Sequence, residues 1–118
     1  MSLHRTAAQT QQMFNALADP TRRTIIELLA AKGEMPASKI YENFDMTNPA
    51  VSQHLKILRD AELVQIEKRA QKHIYSLNTE KIRDLEDWIK ETTELWSQRF
   101  DRLDNVLEAE KHRTHQRR

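Results

Sequence analysis

Apolar residues recur at helical spacing through the first part of the chain and predict a series of short helices. The first helix spans residues 7–17. The second begins at Asp19, a favourable N-cap that is followed by proline, and stops at Gly33. The broad apolar stripe of this second helix is supplied by Ile25, Ile26, Leu28 and Leu29. A third, shorter helix is predicted over about 37–44.

A fourth helix follows a short turn at residues 45–46, with Thr47 as its predicted N-cap. Its apolar side is formed by Val51, Leu55 and Leu58. Its other side carries amides, a hydroxyl and bases, namely Asn48, Ser52, Gln53, Lys56 and Arg59. No acid occurs on this helix before Asp60, although exposed helices often present pairs of glutamate and lysine. The polar side therefore has a composition that suits contact with a polyanion.

Beyond Leu63 the apolar period changes from helical to alternating, which is typical of strands. The segments "VQIEKR" and "HIYSL" are separated by "AQK" and predict a β-hairpin. Because the connection lacks glycine and asparagine, the turn is expected to be longer than two residues or loosely held.

From Thr79 the helical period returns and continues for about thirty residues. Its apolar stripe runs from Ile82 to Leu107 and includes Trp96 and Phe100. A helix of this size is roughly 45 Å long and cannot be covered from one side by so small a domain. A second chain is the economical partner for the stripe.

The length of 118 residues predicts a single domain over residues 1–111, which includes a long dimerisation helix over 79–110. Residues 112–118 are expected to form a disordered basic tail. The chain contains no cysteine and therefore no disulfide or thiolate metal site. It has no long apolar run and no signal-like start, so we expect a cytoplasmic protein without a membrane partner.

The net charge of +1 conceals an uneven distribution of charge. Residues 1–79 carry a net +2, residues 80–110 a net −5, and residues 111–118 a net +4. An acidic segment therefore masks a more basic remainder, and the overall charge understates any surface that binds anions.

The order of elements predicts a mainly α fold with a small β-hairpin, in the arrangement of a winged helix-turn-helix. A short helix, a tight turn and a second helix can place the second helix in the major groove of DNA. The hairpin that follows is then a wing beside the neighbouring backbone. Amides, hydroxyls and bases on 48–59 can bind base edges and phosphates, whereas a plain solvated helix face is the alternative interpretation.

The segments "FNALADPTRRTIIELLA", "DMTNPAVSQHLKILRDAELV" and "KRAQKHIYSLN" resemble the ArsR family of bacterial winged helix-turn-helix repressors over about residues 13–78. The "W…RFDRLDNVL" pattern of the last helix is similar to the subgroup that lacks metal-binding cysteines. The resemblance implies a homodimer, joined by the N- and C-terminal helices, that binds an inverted-repeat operator in double-stranded DNA. Such a protein blocks transcription, and autoregulation is one option.

Candidate site residues follow from the polar helix face, the wing and the terminal helices. The DNA-binding candidates are Lys39, Asn48, Pro49, Ser52, Gln53, His54, Lys56, Arg59, Lys68, Arg69, Lys72 and His73. The dimerisation candidates are Met13, Phe14, Leu17, Ile89, Trp96, Phe100, Leu103 and Leu107. His54 stands beside the apolar stripe and either touches DNA or packs. Of Arg22 and Arg23, at most one is expected to meet DNA.

Two positions depart from the family pattern in ways that affect the backbone. Glu62 stands where family members usually carry glycine, and "AQK" replaces a glycine at the wing tip. If Glu62 were left-handed it would carry roughly 1 kcal/mol of strain. We therefore expect the turn at Glu62 to be remodelled. Asn48 replaces a common arginine and removes a charge from the phosphate contacts.

No cofactor, metal site or catalytic constellation is predicted. His112 and His115 have a spacing that could hold zinc, but a solvated tail is the favoured interpretation. The pairs Asp84/Asp87 and Asp101/Asp104 are interpreted as a solvated helix face. The chain has no glycine-rich phosphate loop and no interpretable nucleophile arrangement, so we expect no enzyme.

A competing hypothesis assigns the chain to a class of protein-interaction modules. In that case the acidic helix with Trp88 and Trp96 would bind another protein, and the helix-turn-helix would be a scaffold. The acid-free face of 48–59 argues against this hypothesis. For a repressor without a metal site three options stay open, namely a partner protein, a small apolar ligand at the dimer interface and simple autoregulation.

Overall fold

The computed structural model describes residues 6–116, with side chains described as far as Lys111. Its elements, in chain order, are α1 (Ala7–Leu17), α2 (Pro20–Lys32), β1 (Glu34–Pro36), α3 (Ala37–Tyr41), α4 (Asn48–Asp60), β2 (Val64–Arg69), β3 (Lys72–Leu77) and α5 (Thr79–Gln116). The predicted helices, the hairpin and the long last helix are therefore all present. The architecture is mainly helical with one small sheet, as the sequence predicts.

The predicted caps of the second and fourth helices are confirmed. Asp19 accepts a hydrogen bond from the backbone N–H of Arg22 at 3.1 Å, and Thr47 Oγ1 accepts one from the N–H of Ala50 at 3.3 Å. Gly33 ends α2 with a φ of 86° and donates its N–H to the carbonyl of Leu29. These contacts satisfy groups that helix ends leave unpaired, and they fix where α2 and α4 begin.

The core lies between the helices and one face of the sheet. Its fully buried side chains of largest volume are Ile25, Leu29, Ile40, Val51, Leu55, Leu58 and Leu63. All three apolar positions predicted for α4 belong to this set. Of the four positions predicted for α2, two are in the core, while Ile26 and Leu28 are partly buried against it.

The sheet contains a strand that the sequence analysis missed. Its order is β1-β3-β2, and both pairings are antiparallel. The missed strand is β1, which has three residues and ends at Pro36, so it is too short to show an alternating pattern. It pairs with β3 through Met35 and Tyr75, which extends the predicted hairpin into a sheet.

The hairpin turn is tighter than expected. Arg69 pairs with Lys72, so only Ala70 and Gln71 connect the strands, and the prediction of a turn longer than two residues is wrong. Ala70 adopts a left-handed φ of 53°, a conformation that short hairpin turns require and that alanine can reach with some strain. The paired strands on both sides supply the support that the turn sequence lacks.

The turn after α4 is also different from its prediction. Glu62 has a φ of 62°, so its backbone is left-handed and the expected remodelling does not occur. The N–H of Glu62 bonds the carbonyl of Arg59, and the N–H of Leu63 bonds the carbonyl of Leu58. This pattern is a Schellman motif, in which two carbonyls at the end of a helix find partners.

The connection between α3 and α4 is longer than the sequence suggests. The third helix ends at Tyr41 rather than at residue 44, and residues 42–47 form the turn. Backbone hydrogen bonds from Asn43 to Ile40 and from Phe44 to Tyr41 hold its first part. The helix-turn-helix order is retained with a wider turn.

The chain divides into two compact units, one as far as Leu85 and one from Glu86 onward. The first holds the winged helix-turn-helix and the start of α5. The second consists of the remainder of α5, which continues to Gln116, beyond the predicted end at residue 110. Within the described residues no helix is long and apolar enough to cross a membrane.

Candidate nucleic-acid interface

The buried side of α4 determines which residues face outward. Val51, Leu55 and Leu58 are 0% exposed and fix the helix on the core. Because residues three and four apart share a helix face, the opposite side is turned to solvent. The exposed predicted residues on this helix are Asn48, Pro49, Ser52, Gln53, Lys56 and Arg59.

An open groove of about 400 Å³ lies between α4 and the hairpin. It is lined by Pro49, Ser52, Gln53, Lys56 and Arg59 of α4 and by Ile66, His73 and Tyr75 of the strands. Six of the predicted DNA-binding residues therefore line one surface that contains no carboxylate. Sequence reasoning missed Ile66 and Tyr75, because the face of the hairpin that turns toward α4 depends on strand register.

Tyr75 occupies the floor of this groove. It is only 9% exposed, and burial raises the pKa of its phenol, with the charge of Arg59 acting in the opposite direction. The phenol therefore remains protonated at neutral pH. It can donate or accept one hydrogen bond at a site that is otherwise basic.

His54 is not part of the groove lining. Its Nδ1 atom lies 3.2 Å from Nη1 of Arg22 and 3.9 Å from a carboxylate oxygen of Asp19. Its side chain is only 20% exposed. The structure therefore brings His54 together with the start of α2 and not with the candidate DNA-binding face.

The side chains of Arg22 and Arg23 cap the C-terminal end of α1. Arg22 donates to the carbonyls of Asn15 and Ala16, and Arg23 donates to the carbonyl of Leu17. These are carbonyls that the last turn of a helix leaves without helical partners. Sequence reasoning treated both arginines only as possible DNA contacts and did not anticipate this capping role.

The wing carries two kinds of basic residue. Lys68, Lys72 and His73 are exposed, and His73 also lines the groove. Arg69, by contrast, is held by acids: its guanidinium contacts both carboxylate oxygens of Glu34, at 2.5 and 3.0 Å, and one of Glu67 at 3.0 Å. Its charge is thus compensated within the chain.

The ion pair between Glu34 of β1 and Arg69 of β2 shifts the pKa values of both side chains. Hydrogen bonds from Arg69 hold the pKa of Glu34 below its usual range, and the two carboxylates raise the pKa of Arg69 further. Both side chains are about half exposed, so the pair is a surface contact with modest energy.

Lys39, on α3, remains an exposed cation outside the groove lining. Its ammonium lies 3.6 Å from Glu42, and both side chains are more than half exposed. An exposed pair at this spacing exchanges readily with solvent, so Lys39 can reach an external anion.

The structure separates the predicted dimerisation residues into two groups. Met13 is 2% exposed and belongs to the core of its own chain, so it offers almost no area to a second chain. Leu17 is partly buried, and Phe14 is 37% exposed. The exposed apolar residues of α5, each between 49% and 64% exposed, are Ile89, Leu95, Trp96, Phe100, Leu103, Val106 and Leu107.

Within the second unit two aromatic residues of α5, Trp96 and Phe100, contact each other. The ring centroids of Trp96 and Phe100 lie 5.3 Å apart, and the guanidinium of Arg99 lies 5.8 Å from the Trp96 ring. These contacts order the side chains of the stripe but leave most of their apolar area exposed. An exposed apolar area of this kind is typical of interaction surfaces.

One acid of α5 was wrongly interpreted. Asp84 is 6% exposed, so it is buried and not part of a solvated face, whereas Asp87, Asp101 and Asp104 are exposed as expected. Asp87, the other acid of that pair, lies three residues later on α5 and is exposed, so the two carboxylates do not share one environment. No group of three metal-ligating side chains occurs among the residues that were described, and the side chains of His112 and His115 lie outside them.

Known proteins resemble this chain in both sequence and structure. The profile of the family described as "Bacterial regulatory protein, arsR family" matches residues 19–65. The transcriptional repressor SdpR of Bacillus subtilis (strain 168) is 42% identical over 77 residues, which cover 65% of this chain and 84% of that protein. The arsenical resistance operon repressor of Staphylococcus xylosus is 41% identical over 68 residues, covering 58% and 64% respectively.

A crystal structure described as an ArsR family transcriptional regulator shares the fold. It matches with a TM-score of 0.71 and 30% sequence identity, and the match covers 79% of this chain and 95% of that one. None of these similarities supports the competing hypothesis of a protein-interaction module.

Proposed function

Since the chain belongs to the ArsR family of DNA-binding transcriptional regulators, we propose that it is a homodimeric repressor that binds an inverted-repeat operator. The observation that carries the proposal is the groove between α4 and the hairpin, whose lining is polar and basic and contains no carboxylate. In this proposal α4 is the recognition helix and enters the major groove. The relatives that are named repressors support the direction of regulation.

Base reading is assigned to the exposed polar side of the recognition helix. Gln53 can bond the N6 and N7 edge of adenine, and Lys56 can bond guanine, while Asn48 and Ser52 supply shorter contacts. Pro49 lies in the first turn and offers apolar contact to a thymine methyl group. These residues point outward because Val51 and Leu55 hold the opposite side in the core.

Phosphate binding is assigned to cations that have no compensating acid in the groove. Arg59 of α4 and His73 of β3 line the groove, and Lys68 and Lys72 are exposed cations on the wing. Lys39 supplies a further contact from α3. Arg69 is left out of this set because Glu34 and Glu67 already neutralise it. His54 is left out because it faces Arg22 and Asp19.

Dimerisation is assigned to the exposed apolar stripe of α5, with a contribution from Phe14 and Leu17 of α1. Seven large apolar side chains of α5 are about half exposed or more, which is far from ordinary for one helix of a monomer. A two-fold dimer would present two recognition helices to one face of the duplex. The half-sites should then lie about 10–10.5 base pairs apart, or a multiple of that distance.

The test is a titration of labelled DNA from upstream of the protein's own gene, measured by fluorescence anisotropy at several salt concentrations. Scrambled DNA of equal length serves as the matched control. We expect tighter binding to the upstream DNA, with an affinity that falls steeply as salt rises, by a log–log slope of about −0.9 for each phosphate neutralised. That outcome would support an autoregulating repressor.

Weak binding that is equal on both DNAs would contradict autoregulation. A selection from random duplexes then distinguishes an operator elsewhere in the genome from the absence of sequence preference. Failure to select any sequence would overturn the proposed repressor function and leave a protein partner for α5 as the second candidate. An inducer, whether a protein or a small apolar molecule, is sought only after an operator is known.

A further inference from the structure

Two residues that each break a local rule of helix ends meet beside the end of the recognition helix. Glu62 follows the C-cap Ala61 and has a left-handed φ of 62°, a conformation for which glycine is the favoured residue. Lys81 lies in the first turn of α5, where the positive end of the helix dipole disfavours a cation. Neither residue is what its own local position favours.

A single ion pair joins these two residues. Nζ of Lys81 lies 3.5 Å from Oε2 of Glu62. The lysine side chain is only 21% exposed, so it is more sheltered than Lys39 in its pair with Glu42, where the lysine is 62% exposed. The glutamate thereby offsets the cation at the start of α5, and the lysine gives a reason for a charged side chain at the end of α4.

Two further hydrogen bonds lie on either side of Glu62 in the sequence. The N–H of Asn78 donates to the carbonyl of Leu63 at 3.0 Å, which fixes the approach to α5. Nε2 of Gln12, on α1, donates to the carbonyl of Asp60 at 3.0 Å. The end of the recognition helix is therefore fastened both to α1 and to the start of α5, with Glu62 between the two attachments.

We propose that the Glu62–Lys81 pair, here called the latch, sets the direction of the recognition helix relative to the first turns of α5 and so determines which half-site spacing the dimer accepts. Positions where a sequence breaks local rules at a defined contact are where function is expected to impose a constraint. The inference rests on the proposed dimeric repressor, because the later turns of α5 carry the apolar stripe. Glu62 is thus a positioning residue, and it lies outside the groove lining.

The experiment compares operators of different spacing. The tightest-binding fragment of the upstream DNA is prepared with its central spacing unchanged, with one base pair inserted and with one removed. Affinities of the wild-type protein, Glu62→Gly, Glu62→Gln, Lys81→Gln and the exchange Glu62→Lys with Lys81→Glu are measured on all three. The ratio of affinities for the natural and altered spacings is the readout, because a merely structural role would not change it.

Loss of the latch should reduce the spacing preference while leaving stability intact. With two latches in each dimer, we expect the preference to fall by about twofold to tenfold in Glu62→Gly, Glu62→Gln and Lys81→Gln, a range set by the energies of partly exposed ion pairs. The exchange variant should recover most of it. Glu62→Gly should unfold at the same or a higher temperature, because glycine relieves the left-handed strain.

Ala70 provides the matched control, since it is the second non-glycine residue with a positive φ among those described. Ala70→Gly relieves similar strain at the wing tip without touching the latch, so it should leave the spacing preference unchanged. A preference that survives in Glu62→Gly and in Glu62→Gln would overturn the inference alone. A wild-type protein that binds no upstream or selected DNA specifically would overturn the repressor proposal as well.

Discussion

The imidazole of His54 is joined to Arg22, with Nδ1 of the histidine 3.2 Å from Nη1 of the arginine. Because a guanidinium can only donate, Nδ1 accepts this hydrogen bond. The same arginine caps α1 through the carbonyls of Asn15 and Ala16. One side chain therefore connects α1, α2 and α4, and the position of the recognition helix depends on it.

Replacing His54 by alanine should destabilise the protein without removing a phosphate contact. Loss of one part-buried hydrogen bond to a charged donor lowers the free energy of unfolding by about 1–2 kcal/mol. Urea unfolding measures this loss, and His54→Asn should be milder because an amide can still accept near the Nδ1 position. The salt dependence of DNA binding should keep its slope. A slope reduced by about 0.9 would instead identify His54 as a phosphate ligand.

Replacing Gln53 by alanine should weaken operator binding by about 1–3 kcal/mol and relax the preference at one base pair in each half-site. The reason is that Gln53 is exposed in the groove and can make two hydrogen bonds to one base. Competition assays with operators substituted one position at a time measure the effect. Gln65→Ala, on an exposed position of β2 outside the groove lining, is the control. An equal loss on every sequence would argue against base reading by Gln53.

Two neighbouring cations of the wing should behave differently when they are removed. Lys72→Ala should weaken binding about equally on all sequences and reduce the salt slope by about 0.9 if this exposed cation binds phosphate as proposed. Arg69→Ala should change the slope little, since Glu34 and Glu67 hold its guanidinium. Salt titrations of both variants decide this point. A larger slope change in Arg69→Ala would mean that its ion pairs open on DNA.

The Glu34–Arg69 pair should make the free energy of unfolding depend on pH in the acidic range. The pKa of Glu34 is lowered in the folded protein, from an ordinary value of 4.5, so the pair stabilises fully above that value. The stabilisation is then lost as the pH falls through the lowered pKa. Thermal unfolding of the wild-type protein and Glu34→Gln should therefore differ at neutral pH and converge in acid. A difference that persists at pH values well below the lowered pKa would contradict this assignment.

Replacing Trp96 and Phe100 by serine should weaken dimerisation, because their large side chains lie exposed on one apolar stripe. Buried aromatic residues dominate many interfaces, so we expect the dissociation constant to rise by at least about tenfold. Sedimentation velocity over a range of concentrations measures the change. Gln98→Ser is the matched control, since residue 98 is directed away from the stripe on the same helix. An unchanged dimer in the double variant would exclude this part of α5 as the interface.

Helix ends and the buried side of α4 could be predicted from sequence because their signals are local. Asp19 and Thr47 are caps whose hydrogen bonds depend on residues three positions away, and the stripe from Val51 to Leu58 follows the helical period directly. The α4 residues that line the groove were named as DNA-binding candidates for the same reason. These residues share one face, and that face is fixed by the stripe behind it.

The features that were missed depend on contacts between distant segments. The sequence pattern does not decide whether Met13 is buried or exposed. The packing of α1 on the core buries it. The role of Arg69 depends on Glu34, which lies 35 positions earlier, in a strand too short to predict. The left-handed backbone at Glu62 and Ala70 contradicts residue preference, and neighbouring hydrogen bonds and strand pairing supply the support.

The order β1-β3-β2 leaves the sheet with two open sides, and neither can readily accept a further strand. On one side β1 has three residues and ends in Pro36, which has no N–H to offer. On the other side the exposed end of β2 carries Glu67, Lys68 and Arg69, and such charges oppose pairing with a foreign strand. The wing is thereby protected against aggregation by strand addition.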